Sequence, residues 1–235
     1  MDRVISEVKE INKSNLRILK MTKEERKLTK AEEKRLQNFN NVSKSLEQEG
    51  YVKYDLTTSV EKANMLGALY GLIVAIPFIV IFFFGNKSSA IIFEENFFRN
   101  WIIFFVTMLL LIVVHELIHG FTWAMFAKSH FKAIEFGVIW KMLTPYCTCK
   151  EPLNRTQYML GTLMPCIVLG ILPCVISWFN HNLWFLEMGA IMILSAGGDL
   201  LICKMILNKK TNLPALYLDH PTSVGLAMFI KENNK

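Results

Sequence analysis

A chain of 235 residues with 52% hydrophobic and 20% charged side chains, a net charge of +6 and a mean hydropathy of +0.31 is too apolar for one soluble globule carrying that many charges. The charges are segregated, with 14 Lys and Arg and 11 Asp and Glu in residues 1–62 and only 21 charges in the remaining 173 residues. That split excludes a soluble enzyme, a fibre and a disulfide-rich secreted module, and it points to a membrane protein with a charged N-terminal arm.

The arm reads as helical. Val4, Val8, Ile11, Leu16 and Ile18/Leu19 recur near a helical period between charges of both signs, which suits a solvated helical hairpin or a docking arm. Thr29-Lys-Ala-Glu32 fits a capping box that opens a second helix through about Gln48, and Gly50 ends it. Thr58-Ser-Val-Glu61 fits a further box leading into apolar sequence. The opening Met1-Asp2-Arg3-Val4 continues into charge, so targeting is expected from internal spans.

Four apolar segments, Asn64–Phe84, Trp101–Phe126, Tyr158–Phe179 and Leu183–Leu207, are long enough to cross a hydrocarbon core. Pro77, Pro165 and Pro173 predict kinks in them. With the N-terminus in the cytoplasm, 24 of the 26 basic residues fall on one side and only Lys87 and Arg99 on the other. Both termini are therefore expected in the cytoplasm of a multi-pass cell-membrane protein. The expected division is a charged arm at 1–62, a four-span membrane domain at 63–207 and a tail at 208–235. The fold class is all-α and polytopic, with one short interfacial β-hairpin.

That hairpin is read from Ala133–Glu151, where Ile134, Phe136, Val138 and Trp140 partly alternate before Pro145-Tyr146-Cys147-Thr148-Cys149. The Cys-x-Cys pair has no second cysteine pair or His cluster beside it to make a metal site. Cys166, Cys174 and Cys203 lie in apolar runs and read as small hydrophobes. No phosphate loop or nucleic-acid motif is visible, so the basic balance serves orientation.

The chemistry lies in the second span, in His115-Glu116-Leu117-Ile118-His119. His115 and His119 are one helical turn apart on one face, where two imidazoles can converge on an ion with Glu116 beside its water. Ionisable groups in a spanning helix cost on the order of 2.5–3.5 kcal/mol each and are functional candidates by default. The plain alternative is neutral packing histidines with Glu116 protonated or paired to Lys204.

A catalytic zinc needs a third protein ligand. His115 and His119 lie 14 and 18 residues after Trp101, and Asp199 lies 16 after Leu183. All three therefore fall about 21–27 Å below the outer boundary. Gly197 and Gly198 would let the helices approach closely enough for a short Asp side chain. Asp199 could instead pair with Lys204 or line a polar cavity, and the rival ligands are Glu187, at another depth, and Asp219 or His220 in the tail.

His-Glu-x-x-His in a membrane helix, a following hairpin and an Asp from a later span resemble intramembrane zinc metalloproteases of the site-2 protease type. More closely, His115–Gly120, Pro145-Tyr146-Cys147-x-Cys149-Lys150-Glu-Pro152-Leu153, Pro165, Gly198-Asp199 and Asp219-x-Pro221-x-x-x-Gly225 resemble the bacterial family described as putative zincin peptidases. Gly-Gly-Asp199-Leu200 stands where site-2 proteases carry Leu-Asp-Gly. The resemblance implies Zn²⁺ on His115, His119 and Asp199, with Glu116 as the catalytic base. It also implies a membrane-protein or peptide substrate. An unwound substrate in lipid needs an edge strand to pair with, for which Phe136, Val138 and Trp140 of the hairpin are the candidates; the hairpin read plainly is a cytoplasmic cap that closes the site. The alternative is a non-proteolytic membrane protein with a structural or transported metal, or a catalytically silent regulator.

Overall fold

The computed structural model describes residues 29–85, 97–139 and 144–231. The arm helix expected from Val4 to Leu19, and Trp140 of the hairpin, lie outside the described residues. The chain divides into two compact units, Met1–Arg35 and Leu36–Lys235.

Helix α1 (Lys30–Gln48) starts where the capping box predicts. Thr29 Oγ1 takes the Glu32 N–H at 3.3 Å, and the Glu32 carboxylate takes the Thr29 N–H at 2.8 Å. Gly50, at φ +87°, supplies the left-handed turn that ends it. Strand β1 (Tyr51–Thr58) follows, then α2 (Val60–Gly85). The second expected box is displaced by one residue. Thr58 is the last residue of β1, so Ser59 caps α2 instead, its Oγ taking the Lys62 N–H at 3.3 Å.

Helix α3 (Phe97–Ala124) carries the His-Glu-x-x-His run, and a single 3₁₀ turn at His130–Ala133 leads into β2 (Ile134–Ile139) and β3 (Thr144–Cys149). These two strands form the expected antiparallel hairpin, with Phe136 opposite Cys147. After β4 (Leu153–Asn154), α4 (Arg155–Pro165) opens on a full capping box. Asn154 Oδ1 takes the Gln157 N–H at 3.0 Å, and Gln157 Oε1 takes the Asn154 N–H at 3.1 Å. A π turn at Cys166–Ile171 joins α4 to α5 (Leu172–Asn180). Pro173 has no N–H for the regular ladder, and the wider turn ahead of it absorbs the mismatch without ending the apolar run. The last apolar segment is two helices, α6 (Leu183–Ser195) and α7 (Gly197–Asn208), bent by 49° at Ala196.

Three of these runs, Val60–Gly85, Phe98–Ala124 and Arg155–Asn180, are long and apolar enough to cross a membrane, and the bent pair α6–α7 is a fourth if it counts as one span. Trp101, Phe104 and Trp184 cluster where α3 and α6 begin, with Phe104 and Trp184 ring centroids 6.0 Å apart. Trp178, near the end of α5, lies against Gly85 at the end of α2. Tryptophans gathered at one end of apolar helices are the pattern of a membrane–water interface.

The all-α expectation is corrected by a four-stranded antiparallel sheet at the other end, in the order β1-β6-β5-β4, built with β5 (Ala215–Asp219) and β6 (Val224–Lys231). The pairing of edge strand β1 with β6 joins Tyr51 to Lys231, 180 residues apart in sequence. Strand β6 is buried on both faces. Leu226, Met228 and Ile230 pack with Trp123, Ala124, Leu153 and Tyr158 of the helical side, while Ala227 and Phe229 pack under Phe39 and Leu46 of α1. Each such large side chain contributes about 1.5–3 kcal/mol of apolar burial. The sheet is thus a middle layer between α1 and the end of α3 that carries His119.

The β5–β6 turn is held by His220, whose Nδ1 accepts the Ser223 N–H at 3.0 Å and the Thr222 N–H at 3.4 Å while its ring rests on Phe39. Burial holds this imidazole below its ordinary value, with Lys53 adding to the shift and Asp55 opposing it. A histidine depressed in the folded state contributes stability that is complete above the unfolded value of about 6.5 and is lost as pH falls below it. The melting temperature of the wild type should therefore drop further between pH 7.5 and pH 5 than that of His220→Asn, which keeps an acceptor without a titrating ring. Equal drops would show that this ring is not responsible.

Candidate metal centre

The end of α3 faces inward with one stripe, His115, His119 and Trp123, spaced by four residues and all buried, while Leu109, Leu110, Val113 and Leu117 are exposed. The bend at Ala196 makes Asp199 a first-turn residue of α7, where the helix dipole favours a carboxylate. Gly197 brings α7 against α2. A β-carbon on Gly197 would lie 2.2 Å from the Gly67 carbonyl oxygen, so the contact is backbone on backbone.

One donor atom from each of His115, His119 and Asp199 lies within 4.8 Å of the others. His115 Nε2 is 3.2 Å from Asp199 Oδ2, His119 Nε2 is 3.4 Å from Asp199 Oδ1, and the two Nε2 atoms are 3.1 Å apart. His119 Nδ1 donates to the Gly161 carbonyl at 2.8 Å, because a carbonyl can only accept, and in the neutral ring this leaves the lone pair on Nε2. A proton on His115 Nε2 can serve only one of its two contacts. Lone pairs therefore converge on one point, which is the electrostatic condition that a dication satisfies. The donor set fits zinc: two imidazole nitrogens and a carboxylate, with one ring oriented through its other nitrogen. His115 Nδ1 is buried with no such partner among the described residues.

The His119 ring is fixed a second time. Trp123 stacks on it at a centroid distance of 5.2 Å and an interplanar angle of 15°, and donates its indole N–H to the Tyr158 carbonyl at 3.2 Å. Gly161 is required there, since a β-carbon would sit 2.0 Å from Trp123 Nε1. Sequence reasoning missed Trp123 and Gly161, although the four-residue step from His119 to Trp123 was a legible signal.

Glu116 is outside the converging set and lines the same cavity, about 420 Å³, with its carboxylate beside the backbone N–H of Cys147. Asp199 has the two histidines as its ion-pair partners, and Lys204 is exposed on α7. Glu187 lies on α6, outside the cavity lining. Asp219 lines the cavity but binds elsewhere, accepting from Tyr158 Oη, from Thr148 Oγ1 at 2.8 Å and from the Cys149 N–H at 3.2 Å. Burial pushes its carboxyl above the ordinary value against the pull of those donors. His220 holds its own turn.

Of the hairpin, Pro145, Tyr146 and Cys147 of β3 line the cavity. Phe136 is on β2 and covers Gly120, where a β-carbon would come within 2.4 Å of its ring, and Val138 is exposed. Cys147 and Cys149 stand two apart on β3 and so share one face of the strand, and both are free thiols. Burial pushes the Cys147 thiol up and the Cys149 thiol up to about 12, so neither is poised as a thiolate ligand.

Apolar helices carrying a His-Glu-x-x-His run, with a carboxylate brought to it from a later helix, define a zincin-type site within a helical bundle. Residues 108–213 match the family described as putative zincin peptidase, a stretch that runs from the metal helix through α7. No curated protein and no solved structure matches the chain.

Proposed function

We propose that this protein is a membrane-embedded zinc metallopeptidase that hydrolyses peptide bonds of membrane-associated substrates near the cytoplasmic face. The observation that carries the reading is the convergence of His115, His119 and Asp199 within 4.8 Å at the wall of an open cavity that also holds Glu116. A structural zinc site is closed by four protein ligands, whereas a catalytic one keeps a position open. Zinc held by these three residues supplies Lewis acidity, making a water acidic and polarising an amide carbonyl. Glu116 takes the proton at its carboxylate and returns it to the leaving amine. Of the hairpin, β3 offers the extended substrate its outward carbonyls at Pro145 and Cys147, which satisfies backbone groups that lipid cannot. Phe136 and Val138 support that strand from β2.

Four crossings are supported by the sheet. Strand β1 precedes the first apolar helix, β4 stands between the second and third, and β5 and β6 follow the last, yet all four strands pair. One sheet lies on one side of a bilayer, so the bent pair α6–α7 must bring the chain back across. The basic residues, 24 of 26 on that side, support a cytoplasmic sheet.

Metal analysis of the detergent-purified chain tests the centre. The wild type should bind one zinc per chain, and His115→Ala or Asp199→Ala should weaken binding by more than about 100-fold, the most that outer-shell partners alone cost. A chelator should lower the melting temperature of the wild type and leave both variants where they are. Zinc retained by Asp199→Ala would remove Asp199 from the ligand set.

A further inference from the structure

Two short motifs remain without a role in the proposed chemistry, the Pro145–Cys149 run of β3 and the Asp219-x-Pro221-x-x-x-Gly225 run that joins β5 to β6. The fold brings them together. Asp219 ends β5, and its carboxylate gathers the Thr148 hydroxyl at 2.8 Å and the Cys149 N–H at 3.2 Å from β3, together with the Tyr158 hydroxyl from α4. Asp219, Gly225, Cys147 and Glu116 line the same cavity.

The ladder shows what this does to the edge of β3. The Lys150 N–H donates to the Ala133 carbonyl at 2.8 Å, in register with Ile134 opposite Cys149. Hydrogen-bonded and non-bonded pairs alternate along an antiparallel ladder. Thr148 and Tyr146 therefore turn their backbone groups toward β2, while Cys149, Cys147 and Pro145 turn theirs away, toward the cavity. Pro145 has no N–H to offer and is tolerated at such a position. Of the two remaining outward amides, that of Cys149 donates to Asp219 at 3.2 Å, and that of Cys147 opens on the cavity that Glu116 lines. The edge facing the cavity is thus anchored by one carboxylate and turned toward another.

We propose that Asp219 is a positioning residue for Glu116. It latches β3 at Thr148 and Cys149, and the latched strand holds the Cys147 N–H against the Glu116 carboxylate. Its effect on turnover rests on the metallopeptidase reading, whereas its effect on the strand does not.

The test uses the full chain in detergent and reads hydrogen exchange at the Cys147 and Cys149 amides alongside zinc content and hydrolysis. In Asp219→Asn, the charge that gathers these donors is lost and one oxygen becomes an NH₂ that only a turned hydroxyl can accept, so exchange at both amides should rise at least tenfold while that of α3 around Glu116 stays unchanged and zinc is retained. Thr148→Val, a milder change that keeps Asp219, should move the same two amides in the same direction by less. Turnover of Asp219→Asn should fall about 10–100-fold in kcat with KM within about threefold, as for outer-shell supports. The double variant with Glu116→Gln should be no slower than Glu116→Gln alone. Unchanged exchange at Cys147 in Asp219→Asn overturns the latch, and so does a loss expressed in KM or in zinc content. A wild type that cleaves nothing counts against the metallopeptidase reading instead, and the exchange result then decides the latch by itself.

Discussion

Glu116→Gln is expected to keep one zinc per chain and to hydrolyse peptide bonds about 10²–10⁴-fold more slowly than the wild type, the usual span for loss of a general base. The substitution preserves length and shape, and a Gln side chain still offers an oxygen to the cavity. What it removes is the ability to take a proton. Glu116 follows His115 directly on α3, yet it stands outside the three converging donors, so its removal should not empty the site. Zinc content and hydrolysis measured on one preparation separate the roles. Loss of zinc would make Glu116 a ligand, and unchanged hydrolysis would deny it the role of base. A purely structural or transported metal would survive the change with no functional loss at all.

Gly197→Ala is expected to damage both stability and metal binding, because the two depend on one backbone contact. The new β-carbon would lie 2.2 Å from the Gly67 carbonyl oxygen and 2.6 Å from its carbonyl carbon, and backbone on a packed helix cannot turn aside as a side chain can. Helices α2 and α7 must separate. Overpacking of this kind costs about 1–3 kcal/mol, which for a chain of this size lowers the melting temperature by about 2–12 °C. Asp199 follows two residues later, so its carboxylate moves with the helix and zinc affinity should fall about 10–100-fold. Gly198 supplies the control, since a β-carbon there meets nothing within 4 Å. Gly198→Ala should melt like the wild type; equal damage from both would mean that helix propensity or local strain, not the α2–α7 crossing, is responsible.

The apolar helices were legible because an 18-residue run of high hydropathy is a strong signal on its own. The helices begin and end within a few residues of the expected spans. Thr29 and Glu32 announced α1 through purely local chemistry. The four-stranded sheet was not legible. Strand β6, Val-Gly-Leu-Ala-Met-Phe-Ile-Lys, does not alternate because both of its faces are buried, and its partner Tyr51–Thr58 is far away in sequence. The break at Ala196 was also hidden, since glycines at 197 and 198 read equally well as a helix-packing surface, which Gly197 in fact is.

At the site, helical spacing brought His115 and His119 together, and counting residues from the two span starts placed Asp199 at the same depth. Tyr158 and Gly161 escaped because their contacts to Trp123 and His119 cross from α4 to α3, whereas the step from His119 to Trp123 lies within α3 and was open to reading. Asp219 was visible as a rival ligand and as part of the Asp219-x-Pro221-x-x-x-Gly225 run, without a role. Its partners Thr148, Cys149 and Tyr158 come from two other elements, and nothing in its own neighbourhood names them.

Strand β6 has a consequence for the order of events during synthesis. It pairs with β1 and β5 and closes the layer over the end of α3, but it leaves the ribosome only after all the apolar segments have done so. Until then β1 has no ladder partner, Gly225 is missing from the cavity wall, and Leu226, Met228 and Ile230 are missing from the packing around Trp123. A nascent chain thus carries its histidines without a finished enclosure until translation has run past α7 and reached β6.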